Sequence, residues 1–357
     1  MANVIDLYSD YLIVNQGQAT ATGLSALLDN DVKHDTITRH LSSRDYTSKD
    51  LWQQAKSFVK KISNADGVLI FDDTVEAKPY MDENELVCWH YDHCIGRSIR
   101  GINQLTALYH SQDSSVPVGY SLITKPDTII DSKTGKKKRI ALVTKHDLFR
   151  NLIVQSIHNR LVFKYILADS WFCSVENIKF IADKNLSFIF PIKSNRKVYL
   201  SESDKALGLH QPIESLTFEE DKCLFVWLDD VHFPLSLTKQ LFKDGDATEA
   251  VLYLISNDLT ADAVSIKSYY AKRWKIEEFH KSIKSNLGYA QSPAHTVRTQ
   301  SNHLFLTMLA FIKLESLKIP LKSNHFALKR KMTINALKVA WQNFQQLKEN
   351  NLSIKYA

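Results

Sequence analysis

Glycine and cysteine are both scarce in this chain of 357 residues. The 10 glycines are too few to favour an enzyme built around a glycine-rich nucleotide-binding loop. The four cysteines, Cys88, Cys94, Cys173 and Cys223, do not form a disulfide framework in a chain this long. Hydrophobic residues make up 44% and charged residues 24%, which is ordinary for a globular protein.

Long apolar segments are missing as well. The N-terminal MANVIDLYSD lacks the cationic end and apolar run that mark a signal peptide. The most apolar C-terminal stretch, His303 to Leu317, is interrupted by Lys313 and Glu315 and is too short to span a bilayer. These absences predict a protein of the reducing cytoplasm.

Positive charge is concentrated in the last third of the chain. Residues 260–357 hold 16 Lys and Arg against 5 Asp and Glu, a net +11, so the whole-chain value of +6 leaves −5 for residues 1–259. A basic segment of this kind indicates a polyanionic partner, most simply nucleic acid, although a solvated helical surface gives the same count.

The pattern along the chain predicts an α/β protein with several regions. Residues 1–62 have helical periodicity, and the polar segment Lys33 to Arg44 is suited to the second helix of a helix-turn-helix, although a plain helical bundle fits equally well. Residues 63–194 alternate buried strands with helices, which predicts a mixed sheet flanked by helices. Residues 195–257 read as a β-rich insertion, residues 258–290 as a closing helix, and residues 291–357 as a helical C-terminal region.

The segment from Tyr269 to Leu287 is the most informative stretch. On one continuous helix, capped by Thr260 and ended by Gly288, one face gathers Tyr270, Arg273, Glu277, Lys281 and Lys284 within an arc of about 80°. A structural helix more often distributes its charges as i,i+4 pairs around a solvated face, so periodicity alone leaves that alternative open.

Two apolar strands end on carboxylates that can meet this helix. Gly67 to Phe71 is followed by Asp72 and Asp73, and Phe163 to Ala168 is followed by Asp169. Strand alternation places Asp72 and Asp73 on opposite sides, so only one of the two faces a shared site. On the helix, Glu278 points about 100° away from the face that carries Glu277.

Three clustered carboxylates repel one another unless cations intervene. Mg²⁺ takes oxygen ligands and keeps positions open for water and phosphate, and two ions about 4 Å apart suit phosphodiester chemistry. The cysteines and histidines between Cys88 and Cys94 do not have zinc-site spacing, so we predict no zinc there.

The pattern Y-x2-R-x3-E-x6-K, written by Tyr270, Arg273, Glu277 and Lys284, resembles the signature of the DDE transposases of bacterial insertion sequences. More narrowly, it resembles the branch defined by the YREK motif, which has an RNase H-like catalytic core. The pair Asp73-Thr74 is similar to the first acidic motif of that family, and Asp169 to the second. The likeness covers about residues 67–288.

The resemblance implies roles for these residues. Asp73, Asp169 and Glu277 would be the catalytic acids and would bind Mg²⁺, with Mn²⁺ as a substitute. Tyr270, Arg273, Lys281 and Lys284 would contact DNA at the transposon end. In relatives a DNA hairpin forms and an aromatic residue of the insertion holds a flipped base. Here Tyr253 and Trp227 are the candidates for that position.

We therefore expect a metal-dependent DNA transposase of the cut-and-paste type, with a hairpin intermediate as one route. The expected partners are double-stranded DNA, namely the terminal inverted repeats and the target, and a second copy of the chain. The expected location is the cytoplasm of a bacterium, at the nucleoid. Two alternatives stay open: an RNase H-like nuclease without strand transfer, and an inactive DNA-binding protein descended from a transposase.

Overall fold

A computed structural model describes residues 4–92, 95–132, 135–242 and 250–355, with side chains up to residue 349. The helices are α1 (Val4–Val14), α2 (Ala21–Leu27), α3 (His34–Ser43), α4 (Ser48–Ile62), α5 (Lys145–His158), α6 (Val175–Asp183), α7 (Glu202–Ala206), α8 (Ala263–Ala271), α9 (Trp274–Asn286), α10 (Val297–Leu321) and α11 (His325–Lys355). The strands are β1 (Val68–Ala77), β2 (Cys88–Asp92), β3 (Arg97–Ser111), β4 (Ser114–Leu122), β5 (Asp127–Ile130), β6 (Lys137–Ile140), β7 (Tyr165–Leu167), β8 (Ser187–Ile192), β9 (Lys197–Val198), β10 (Gln211–Pro212), β11 (Leu224–Val226), β12 (Leu235–Phe242) and β13 (Ala250–Ser256).

The chain divides into two compact units. The helical unit combines Met1–Tyr46 with His280–Ala357, and the sheet unit is Thr47–Phe279. The predicted helices of the first 62 residues are present as α1 to α4, and α4 falls with the sheet unit. In the part of the chain that the structure describes, no helix is both long and apolar enough to cross a membrane.

In the helical unit, buried polar side chains fix the N-terminal helices against α10. The Tyr8 hydroxyl lies 3.2 Å from the Ala19 carbonyl and 3.2 Å from Nδ1 of His303. The Asn302 side-chain amide donates to the carbonyls of Leu41 and Arg44, each at 2.7 Å, and so holds the end of α3. The opposite, polar face of α3 is exposed, as a recognition helix requires.

The sheet unit is organised around a nine-stranded mixed sheet in the order β11-β12-β13-β8-β7-β1-β3-β2, with β4 paired to β3. β1 runs antiparallel to β3 and parallel to β7, and β7 runs parallel to β8. Val68 to Phe71 are fully buried because helices cover both faces of the central strands. This architecture, a mixed sheet flanked by helices, is the RNase H-like α/β fold that the sequence predicts.

The β-rich segment continues the same sheet. β13 pairs with β8 in antiparallel register, from Tyr253 opposite Ile192 to Ser256 opposite Ile189, and β12 and β11 follow outward. The hydrogen bonds of the core sheet therefore extend without interruption into residues predicted as an insertion.

Two local predictions are wrong. β1 does not stop before the acids but continues to Ala77, so Asp72 and Asp73 lie inside a strand paired with β3 over its whole length. The helix predicted from Tyr269 to Leu287 is broken at Lys272 and Arg273, and its first part, α8, is capped by Asp262 rather than Thr260.

Candidate active site

Asp73 and Asp169 line one cleft of about 910 Å³ in the sheet unit. Asp73 is held in position by the ladder between β1 and β3, where it lies opposite Leu105. Its two carboxylate oxygens lie 2.9 and 3.0 Å from Nζ of Lys145 at the start of α5. The structure thus brings together the first two of the three predicted acids.

Asp169 follows the fully buried strand β7 by two residues. Its Oδ1 accepts a hydrogen bond of 3.1 Å from the backbone N–H of Trp171, which caps the short 3-10 turn Ser170–Phe172. Burial raises the pKa of Asp169, and the neighbouring carboxylate of Asp73 raises it further. A bound cation would relieve both effects.

Glu277, the third predicted acid, lies on α9 beside Arg273 and Asp72. Nη1 of Arg273 is 3.2 Å from Oε1 of Glu277 and 3.9 Å from Oδ2 of Asp72. Asp72 and Glu277 each offer a carboxylate oxygen, and these oxygens lie within 4.8 Å of each other. The neighbour that the structure gives Glu277 is therefore Asp72, the residue adjacent to the predicted Asp73.

Asp72 is the most strongly perturbed acid of the group. Burial raises its pKa to about 8, and the charges of Glu277, Asp169 and Asp73 contribute further, while Arg273 acts in the opposite direction. Each of the other three carboxylates is therefore close enough to act on Asp72. This donor set, rich in carboxylate oxygens, fits a hard divalent cation such as Mg²⁺.

The break between α8 and α9 divides the predicted helix face between two helices and a connecting turn. Tyr270 is in the last turn of α8, Arg273 lies in the connecting turn, and Glu277 is in the first turn of α9. The backbone N–H groups of Lys272 and Arg273 bond three residues back, to Tyr269 and Tyr270, so the helix tightens there. Burial raises the pKa of Tyr270 to about 12, which keeps its hydroxyl protonated at neutral pH.

Lys281 and Lys284 lie on the part of α9 that belongs to the helical unit. Lys281 is exposed, and its Nζ lies 5.3 Å from the ring centroid of Phe326 on α11. Lys284 is half-buried one turn further along the helix.

Two residues of the cleft, Lys145 and Trp171, and the neighbouring His146 were not singled out by the sequence. Lys145 contacts Asp73, and its Nζ lies 4.5 Å from the ring centroid of Trp171. The Trp171 ring stacks on His146 with centroids 4.2 Å apart and planes inclined by 6°. The indole follows Asp169 by two residues, which was a visible signal, whereas nothing in the spacing of Lys145 or His146 relates them to the acids.

The cleft is also lined by basic residues. The end of β8 and the turn into β9 contribute Lys193, Arg196 and Lys197, which are exposed around Asn195. A cleft lined by both acids and cations can hold a phosphodiester, with its phosphates directed toward the cations.

The two aromatic candidates of the insertion differ in exposure. Tyr253 is buried within β13, where it pairs with Ile192. Trp227 is half-buried and forms an isolated bridge with Tyr199. Of the two, Trp227 alone presents surface on which a base could stack.

The segment for which we predict no zinc site contains a buried cysteine–histidine pair on β2. Sγ of Cys88 lies 3.3 Å from Nε2 of His90. Burial lowers the pKa of His90 to about 3, and the charges of Lys125 and Lys145 lower it as well. His93 and Cys94 lie outside the described residues.

Comparison with protein families agrees with this geometry. A family model described as DDE superfamily endonuclease matches residues 3–207, and one described as Transposase DDE domain matches residues 124–312. No curated protein matches the chain. The first match includes Asp73 and Asp169, and the second includes Asp169 and Glu277. The chain therefore belongs to the DDE superfamily of endonucleases and transposases.

Proposed function

We propose that the protein is a cut-and-paste transposase that cuts and joins phosphodiester bonds at the ends of its own insertion sequence. Asp73, Asp169 and Glu277 are its catalytic acids and metal ligands in this proposal. The observation that supports it is that the three acids gather around Asp72: Asp73 and Asp169 line one cleft, and the charges of both, like that of Glu277, act on the Asp72 carboxylate.

The cofactor of this proposal is Mg²⁺, for which Mn²⁺ substitutes. Such ions, when bound in a pair, would neutralise the attacking and leaving oxygens of the phosphodiester. The chain's own residues orient the substrate: Arg273 is suited to bidentate contact with a phosphate, and Lys281 and Lys284 act as point charges. Tyr270, protonated and beside Arg273, would donate a hydrogen bond to the same strand.

The DNA partners are double-stranded terminal repeats and a target. Sequence reading requires an element that enters a groove, and α3, with its exposed polar face, is our candidate. The enzyme acts as a homodimer on two ends, at the nucleoid in the bacterial cytoplasm.

Incubation with end-containing DNA and Mg²⁺ tests the proposal. Joined or hairpinned products are expected, together with loss of all cutting in Asp169→Ala while DNA binding is kept. Nicks without joining would make the protein an RNase H-like nuclease. DNA binding without any cutting, in the wild type, would make it an inactive descendant of a transposase.

The DNA that flanks the gene gives an independent test. Short inverted repeats on both sides are expected, and they supply the end sequences for the cleavage assay. Flanks without such repeats would contradict a cut-and-paste element.

A further inference from the structure

Lys145 occupies both oxygens of a carboxylate that, under the proposed function, must bind metal. Its Nζ lies 2.9 Å from Oδ1 and 3.0 Å from Oδ2 of Asp73. The two side chains retain 23% and 19% of their exposure, so the pair is partly screened from water. An ammonium this close takes the same lone pairs that a divalent ion would use at about 2.0–2.1 Å.

The position of Lys145 is fixed by its surroundings. It is the first residue of α5, directly after Thr144, whose hydroxyl and backbone form a capping box with Asp147. Oγ1 of Thr144 donates to Asp147 at 2.6 Å, and the N–H of Asp147 returns a bond of 3.1 Å. The backbone position from which the Lys145 side chain extends is therefore held in place.

The ammonium also has a second partner. It lies 4.5 Å from the ring centroid of Trp171, whose backbone N–H donates to Asp169. Trp171 is itself stacked on His146, the residue after Lys145. The lysine is thus held by the Asp73 carboxylate directly and by the indole of Trp171, whose backbone is bonded to Asp169.

We propose that Lys145 is a resident cation that competes with the divalent metal for Asp73. This inference rests on the proposed function, because it takes Asp73 as a metal ligand. While the metal is absent, the ammonium compensates the Asp73 carboxylate. When the metal binds, the ammonium is displaced into the cleft, where its flexible four-carbon side chain lets it form an ion pair with a DNA phosphate.

Mn²⁺ binding to the DNA-free protein, followed by electron paramagnetic resonance, tests this competition. Lys145→Met keeps the length of the side chain and removes its charge. We expect it to bind Mn²⁺ about three- to tenfold more tightly than the wild type, the range of a partly screened ion pair. Lys145→Arg keeps the charge and is expected to bind no more tightly than the wild type.

Lys267→Met is the matched control. Lys267 is as little exposed as Lys145, and it pairs with Asp221 at 3.0 Å, but it does not line the cleft. Its removal is expected to leave Mn²⁺ affinity unchanged. Circular dichroism of each variant separates an altered site from a failure to fold.

Unchanged or weaker Mn²⁺ binding by folded Lys145→Met overturns the proposal, because removing a competing cation must tighten metal binding. Asp73→Asn separates this result from failure of the proposed function. If Asp73→Asn binds Mn²⁺ as the wild type does, Asp73 is not a ligand, and both the site assignment and the competition fall. If Asp73→Asn loses Mn²⁺ while Lys145→Met is unaffected, the competition alone is wrong.

Discussion

At the scale of single residues, Asp72 and Asp73 are adjacent but have different neighbours. Asp73 pairs with Lys145 in the cleft, whereas Asp72 lies near Arg273 and Glu277. Successive residues of a strand point to opposite faces, so one substitution need not disturb the other group. The two carboxylates can therefore be tested separately.

We expect Asp73→Asn to lose cleavage by roughly three orders of magnitude, because it removes a metal ligand of the proposed site. Asp72→Asn is expected to lose about tenfold, because Arg273 still pairs with Glu277. Rates of Mg²⁺-dependent nicking of an end-containing duplex measure both. The reverse ranking would transfer the metal-ligand role to Asp72.

His90 should make stability depend on pH. Its folded-state pKa is about 3, well below the ordinary value of about 6.5, so the unfolded chain takes up a proton between these pH values that the folded chain does not. The contribution of His90 to the free energy of unfolding is therefore fully present above pH 6.5. It is lost as the pH drops through this window, by about 2 kcal/mol at pH 5. His90→Gln removes this contribution.

Urea midpoints at pH 7 and pH 5 measure the effect. The midpoint of His90→Gln should change less between the two pH values than that of the wild type. The exposed His158 supplies the control, since His158→Gln should keep the wild-type pH dependence. Equal pH dependence in the wild type and His90→Gln would contradict the prediction.

The candidate acids have a local signal in the sequence, and their partners do not. Asp73 and Asp169 follow apolar runs, and Glu277 lies on a charged helix face. The contact of Lys145 with Asp73 joins residues 72 positions apart and depends on how α5 packs on the sheet. Long-range packing of that kind leaves no periodic signal.

At the scale of elements, the close pairing of β1 and β3 depends on a glycine. Gly101 lies opposite Ala77, and a Cβ at this position would overlap the backbone carbonyl of Glu76. Gly101→Ala is therefore expected to destabilise the protein by about 1–3 kcal/mol, as overpacking in a rigid sheet does.

Gly17 is the control for this substitution, because a Cβ there meets nothing within 4 Å. Gly17→Ala should leave the melting temperature nearly unchanged, while Gly101→Ala should lower it by several degrees. Equal melting temperatures for the two variants would show that the β1–β3 pairing adjusts at little cost.

The interrupted helix shows why element boundaries were harder to predict than elements. Tyr269 to Leu287 contains no proline or glycine, and its apolar residues keep a helical period, so the sequence indicates one helix. The break falls at Lys272 and Arg273, both good helix formers. From that turn Arg273 approaches Asp72 of β1, a tertiary contact that the helical pattern does not reveal.

At the scale of the whole molecule, the excess of positive charge in residues 260–357 should govern DNA affinity. We expect the logarithm of the binding constant to fall linearly with the logarithm of salt concentration. Lys281→Ala and Lys284→Ala should each reduce the slope by about one, because each removes one proposed phosphate contact.

Fluorescence anisotropy with a labelled duplex at several salt concentrations measures these slopes. Lys222 is a suitable control, since it lies outside the basic third and pairs with Glu219 at 3.0 Å. Lys222→Ala should keep the wild-type slope. A similar reduction in all three variants would mean that binding depends on total charge rather than on α9.

The hydrogen bonds of the central sheet limit how far the two acids of the cleft can move. Asp169 follows a strand of three residues, and that strand is hydrogen-bonded on one side to β1, which carries Asp73, and on the other to β8. Asp169 therefore cannot move far without breaking the backbone hydrogen bonds that join β7 to β1 and β8. If Asp73 and Asp169 are catalytic, as we propose, their alignment is therefore completed during folding, before a duplex binds.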